Sequence, residues 1–176
     1  MLYTRKGDDG TSGLLGTKER FGKDSPVYEA LGSLDEINSL LGLCRAQAGT
    51  VRSLGAPEEL LAVQQCLFIA QAEVAGADKT LTQEHVDALE AAIARAEEPI
   101  GNPHSFIVPG TTELSALFDY ARAVSRRVER AVIAAREVRP VSDATRKYLN
   151  RLSSFLYALA RLAAFESGEK EPTPSY

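Results

Sequence analysis

From about residue 25 onward, apolar residues recur every three or four positions with polar residues filling the gaps, the pattern of amphipathic helices. In SPVYEALGSLDEINSLLGLCRAQAG, Leu34, Ile37, Leu41 and Cys44 share one face, Ser25-Pro26 offers an N-cap with proline at the first helical position, and Gly49 marks the end. A second pattern runs from about Pro57, where Glu58 and Glu59 suit the helix dipole, to Val74. A third starts at Thr82 with a capping-box signature and carries Val86, Leu89, Ile93 and Ala94 on one face. PIGNPHSFIVPGTT then interrupts the periodicity: three prolines and two glycines leave a long, partly apolar connection. Glu113 to Val138 and Ser142 to Phe165, parted by Arg139-Pro140, complete the series. No stretch reads as a credible strand and no repeat is present. The expected fold is all-α: a five-helix antiparallel bundle in a single domain spanning 1–176. Within it, residues 1–24 form a glycine-rich segment, 25–168 the bundle, and the polar tail 169–176 is expected to fray.

Composition narrows the class. With 176 residues, 44% apolar and 25% charged, the chain can bury one real core, and a net charge of −4 argues against a general nucleic-acid or membrane-surface binder. Any anionic partner must therefore meet a local basic cluster. Cys44 and Cys66 lie in apolar stretches with no CxxC and no ligand-like histidine spacing, so they read as buried free thiols, and a reducing cytoplasm is the expected location. The absence of a signal-like leader or a run of about 20 apolar residues predicts neither export nor membrane insertion.

Two stretches could carry chemistry. TRKGDDGTSG, Thr4 to Gly13, holds three glycines, four charged side chains and three hydroxyls, and cannot pack a core. It has the composition of a phosphate-cradling loop, in which glycine lets backbone N–H groups approach an anion, and equally that of a flexible tail. It lacks Walker A spacing. In DYARAVSRRVER, Arg122, Arg126 and Glu129 fall within about 60° of helical arc, Arg130 at its edge, and Arg127 points away. A solvated Arg/Glu face would look the same on a wheel. Arginine rather than lysine at each position, in an acidic chain, favours planar contact with phosphate or carboxylate. Asp35 and Asn38 sit beside the apolar arc of the first helix, and Asn150 opens the same question in the last. His85 and His104 lack ligand-like neighbours, and no metal site is expected.

Five co-linear pieces, YTRKGDDGTSGL, EALGSLDEINSLLG after Lys23-Asp24, FIVPG, ARAVSRRVER and LNRLSSFLYALAR, resemble the PduO-type ATP:cob(I)alamin adenosyltransferases over nearly the whole chain. The resemblance implies a five-helix bundle that moves the 5′-deoxyadenosyl group of ATP onto the cobalt of cobalamin, with triphosphate leaving and Mg²⁺ accompanying ATP. It implies a homotrimer with sites between subunits, and a reductase or a cobalamin-dependent enzyme as a protein partner. Thr4, Arg5, Lys6, Gly7, Thr11, Ser12 and Gly13 would line the nucleotide, with Lys23 on the phosphates. Arg126, Arg127, Glu129 and Arg130 of a neighbouring chain, with Asn150, would complete that site. Asp35 and Arg122 match a salt bridge between subunits that shapes the corrinoid pocket, and Phe106 matches the aromatic residue closing the lower face of the corrinoid. Phe106, Asp35, Arg122 and Arg126 are thus the expected catalytic set. The chain departs from many relatives at Thr111, at Asp119 within FDYAR, and at Ser154. A non-catalytic corrinoid or nucleotide carrier on the same bundle is the alternative.

Overall fold

The computed structural model describes residues 3, 5–14, 17–48, 56–101 and 105–175. A short hairpin, β1 (Thr11–Gly13) and β2 (Arg20–Gly22), precedes five helices: α1 (Pro26–Ala48), α2 (Ala56–Val74), α3 (Gln83–Glu97), α4 (Glu113–Ala135) and α5 (Asp143–Ser167). The helices fall where the periodicity put them. The hairpin was not expected: strands of three residues are too short for alternation to register, and they pair antiparallel with Thr11 opposite Gly22 and Gly13 opposite Arg20.

Local chemistry explains the helix ends. Thr112 and Ser115 cap α4 reciprocally, Ser115 N–H donating to Thr112 Oγ1 at 3.1 Å and Thr112 N–H to Ser115 Oγ at 2.9 Å. At α3 the reciprocal partner is His85, whose Nδ1 accepts the Thr82 N–H at 3.0 Å. Ser142 caps α5, and buried Glu73 of α2 accepts from the Ser142 N–H and from the Thr145 hydroxyl. Gly168 ends α5 at φ 74°, the left-handed region that favours glycine. The expected Ser25 cap needs correction: its buried hydroxyl makes no hydrogen bond, and only its carbonyl engages the first turn of α1 through Tyr28 and Glu29. The predicted stop at Gly49 lies outside the described residues.

The helices pack in the spatial order α2, α1, α4, α5, α3, with only slight contact between α2 and α3. Tyr148, Phe118, Phe155, Leu34, Ile37 and Leu41 are among the largest side chains removed from solvent at the centre. Ala94 is exposed rather than inward, while Ala92 and Ala96 are buried. Cys44 is buried and Cys66 half-buried, both as free thiols. No helix among the described residues is long and apolar enough to cross a membrane. The tail, expected to fray, is held at two points: Glu171 meets Arg161, and the Pro172 carbonyl accepts the Val108 N–H at 2.9 Å. A charged group and a backbone acceptor find partners there that no local pattern could announce.

Candidate functional site

The glycine-rich segment is organised by two cations from its own second strand and the residue after it. Arg20 reaches back across the hairpin, Nε donating to Thr11 Oγ1 at 2.8 Å and Nη2 to the Thr11 carbonyl at 3.1 Å and to the Lys6 carbonyl. Lys23 donates from Nζ to the Gly7 carbonyl at 2.7 Å and from its backbone to the Gly10 carbonyl at 2.9 Å. A Cβ on Gly7 would stand 2.9 Å from Lys23 Nζ, so glycine there permits the approach. Asp9 accepts from the Thr11 N–H at 2.9 Å and hydroxyl at 2.8 Å; these bonds hold its carboxyl below the ordinary aspartate value, the backbone contribution being the larger. Arg5 takes a left-handed backbone at φ 60° and lies over the Tyr3 ring. The expected residues Arg5, Lys6, Gly7, Thr11, Ser12, Gly13 and Lys23 therefore share one hairpin and its adjoining turn. Thr4 lies outside the described residues, as does His104.

A second group forms where α4 meets α5. Arg122, Arg126 and Glu129 run along one stripe of α4, and Asn150, Ser154, Tyr157 and Arg161, spaced three or four apart, run along one stripe of α5. Asn150 Nδ2 donates to Glu129 Oε1 at 2.9 Å, and Asn150 Oδ1 accepts from Arg151 at 2.8 Å. Arg127 does point away, pairing with Glu36 of α1 at 2.5 Å. Arg126 and Arg130 are exposed.

Between these stripes and the 105–110 connection lies an open cleft of about 650 Å³ lined in part by Phe106, Ile107, Arg122, Arg126, Ser154 and Tyr157. Phe106 is 78% exposed, an aromatic ring presented to the cleft with no core contact to bury it. The cleft thus brings Phe106, Arg122 and Arg126 together. It does not bring Asp35: that carboxylate is exposed on α1 and makes no ion pair with a described residue of its own chain, while the Arg122 guanidinium lies over the Tyr157 ring at 5.4 Å from its centre. Asn38, its neighbour on the wheel, is buried and packs on α2, where Gln64 Nε2 donates to the Asn38 carbonyl at 2.9 Å.

Beneath the cleft sits a buried charge cluster. Arg161 Nη2 donates to Asp119 Oδ2 at 2.5 Å, with side chains only 4% and 8% exposed, and Nη1 lies 3.1 Å from Glu171 Oε1. The second contact attracts by charge without hydrogen-bond alignment. Burial pushes the Asp119 carboxyl up, opposed by Arg161 and then Arg122; burial also raises Glu171. Among the described residues no group of three or more His, Cys, Asp or Glu side chains could hold a metal ion.

A sequence model of the cobalamin adenosyltransferase family matches residues 2–163. The chain belongs to that family. It is 39% identical over 168 residues to the corrinoid adenosyltransferase of Citrobacter freundii, covering 92% of this chain and 93% of the relative. It is 40% identical over 169 residues to the PduO corrinoid adenosyltransferase of Salmonella typhimurium, covering 91% of this chain but 48% of the relative, so it spans about half of that longer protein. Among solved structures, a variant PduO-type ATP:corrinoid adenosyltransferase from Lactobacillus reuteri complexed with cobalamin and ATP superposes with a TM-score of 0.90 at 26% identity, covering 99% of this chain and 96% of that one. Against this family background, sequence reasoning overlooked Arg20, Tyr157, Arg161 and Glu171 as site-building residues. Only Tyr157 and Arg161 had a usable signal, their place on the stripe that begins at Asn150.

Proposed function

We propose that this chain transfers the 5′-deoxyadenosyl group of ATP to the cobalt of a reduced corrinoid, giving adenosylcobalamin and triphosphate. The convergence of Phe106, Arg122 and Arg126 on one cleft carries the reading, and the same chain holds a glycine loop suited to phosphate, shaped by Lys23. Matching relatives are named corrinoid adenosyltransferases, and the similar Lactobacillus reuteri structure holds both cobalamin and ATP.

The electron balance assigns the protein its tasks. Cob(I) supplies an electron pair to the ribose 5′ carbon, the C5′–O bond breaks, its pair leaves with triphosphate, and cobalt ends two electrons more oxidised. No protein nucleophile or proton transfer is required. The chain must hold the reactants in line and stabilise the charge growing on triphosphate. Lys23, the backbone N–H groups around Gly7 and Gly13, and the donors Arg5, Lys6, Thr4, Thr11 and Ser12 suit the polyphosphate. Arg126, Arg127, Glu129 and Arg130, with Asn150, suit the nucleotide from a second chain. A divalent cation such as Mg²⁺ would accompany ATP as part of the substrate and neutralise charge on the departing triphosphate. Phe106 would lie against the lower face of the corrinoid, excluding water and the lower ligand so that cobalt is more easily reduced.

A homotrimer follows as part of the same proposal. Asp35 and Arg122 do not meet within one chain, yet an exposed carboxylate and a half-exposed guanidinium of this kind can pair across an interface. Free thiols at Cys44 and Cys66 support a cytoplasmic location. The test is an anaerobic assay with ATP and chemically reduced cobalamin, followed by the spectrum of adenosylcobalamin. Tight binding of both substrates without that product would leave the carrier reading instead.

A further inference from the structure

The 105–110 connection has no regular structure, and its Phe106 has no core contact, so something else must set where that ring stands. The one described backbone bond from this stretch to a distant part of the chain is Val108 N–H to the Pro172 carbonyl, 2.9 Å, two residues past Phe106. Pro172 follows Glu171, and Glu171 reaches Arg161 at 3.1 Å. Arg161 is in turn fixed to Asp119 of α4 at 2.5 Å. We propose that Arg161 is a positioning residue: by straddling Asp119 and Glu171 it straps the C-terminal segment against the connection and thereby places Phe106 in the cleft. This rests on the function proposed above.

Physical considerations favour the strap over incidental contact. The segment GEKEPTPS has no apolar anchor, and ordering each of its residues costs backbone entropy, so a polar tail stays in place only if held. Exposed ion pairs hold weakly. This one is 4% and 18% exposed, where attraction is less screened and a guanidinium, with donors on two edges, can serve two carboxylates on different elements at once. Arg161 also backs one wall of the cleft, Tyr157, whose ring centre lies 5.0 Å from its guanidinium and 5.4 Å from that of Arg122. One buried cation therefore supports both the arginine and the aromatic walls of the cleft.

The test uses Glu171→Gln, with Glu171→Ala as a second variant, in the full chain. Both sit on the tail and leave the Arg161–Asp119 pair in place. The KM for corrinoid should rise by about three- to tenfold, as expected for loss of one partly buried charge contact, while the KM for ATP and the melting temperature stay put. The four-coordinate fraction of the ATP-saturated Co(II) complex, read by electron paramagnetic resonance, should fall. In a Phe106→Ala background Glu171→Gln should add no further loss, because the strap acts through that ring. An unchanged corrinoid KM in both variants, or a fully additive loss, overturns the proposal. Amide hydrogen exchange at Val108, measured without substrates, separates this idea from the function itself. Faster exchange in Glu171→Gln supports the strap even if the wild-type chain forms no adenosylcobalamin, and unchanged exchange at Val108 sinks it whatever the activity.

Discussion

The glycine hairpin and the α4–α5 end of the bundle both depend on arginine, and they use it in opposite ways. Arg20 sits at the surface, 41% exposed in its side chain, and spends its donors within its own loop, on backbone carbonyls, the Thr11 hydroxyl and the exposed Asp9 carboxylate at 3.4 Å. Arg161 is 4% exposed and is held by carboxylates from α4 and from the tail. Water competes with every bond Arg20 makes, so the hairpin is shaped but weakly held, which suits a segment expected to close over a polyanion. Nothing replaces the aligned Asp119 bond of Arg161 if that carboxylate is lost, so that end of the bundle is firmly set before any substrate arrives. A single residue type thus builds a closing part and a standing part.

The largest expected effect lies at the standing part. Asp119→Ala leaves Arg161 charged and short of its best partner, and should destabilise the chain by about 3–5 kcal/mol, a drop on the order of 10 °C in thermal melting. The double variant Asp119→Leu with Arg161→Met should recover most of that stability while the corrinoid KM stays raised, because apolar packing can replace a buried pair but cannot strap a tail. Recovery of both would place the cluster in stability alone. Next in size, Arg126→Ala should cut turnover by at least about a hundredfold through loss of a charge-assisted contact, with the melt unchanged since that side chain is exposed. Normal kinetics at low ATP would remove Arg126 from the site.

Alkaline pH sharpens the same contrast between buried and exposed groups. Burial pushes the Cys44 thiol up from 9.0 to about 11. The unfolded chain therefore loses that proton first, so the contribution is fully present below pH 9.0 and is lost as pH rises toward 11. The shift corresponds to about 2–3 kcal/mol, and Cys44→Ala should flatten the decline in stability over that window when unfolding is followed by denaturant. An unaltered slope would show that Cys44 ionises without opening the core. The smallest structural effect is expected from Arg20→Ala: melting within about 2 °C of the parent, because its contacts are solvent-competed, but an ATP KM raised several-fold as the loop loses its shape. A large drop in melting with normal ATP affinity would reverse the roles assigned to the two regions.

Much of the site was legible in order along the chain. The glycine segment, the Arg122 and Arg126 stripe and the broken connection could be named from local composition and helical spacing, while Phe106 within that connection came only from the resemblance of FIVPG to a family pattern; the fold brings Phe106, Arg122 and Arg126 to one cleft. Ser25 misled because a good capping residue need not turn its hydroxyl toward the helix. Asp119 looked like a departure from a family pattern, and its meaning came only with its partner 42 positions away.

The helical bundle was written in the sequence because side chains three and four apart share a face whatever else the chain does, and caps and breakers act on their immediate neighbours. Tertiary structure alone decided which polar groups would be buried together. Arg161 lies on the buried face of one amphipathic helix, Asp119 on that of another and Glu171 in an irregular tail, and their pairing depends on packing distances and shared desolvation that no window along the chain contains.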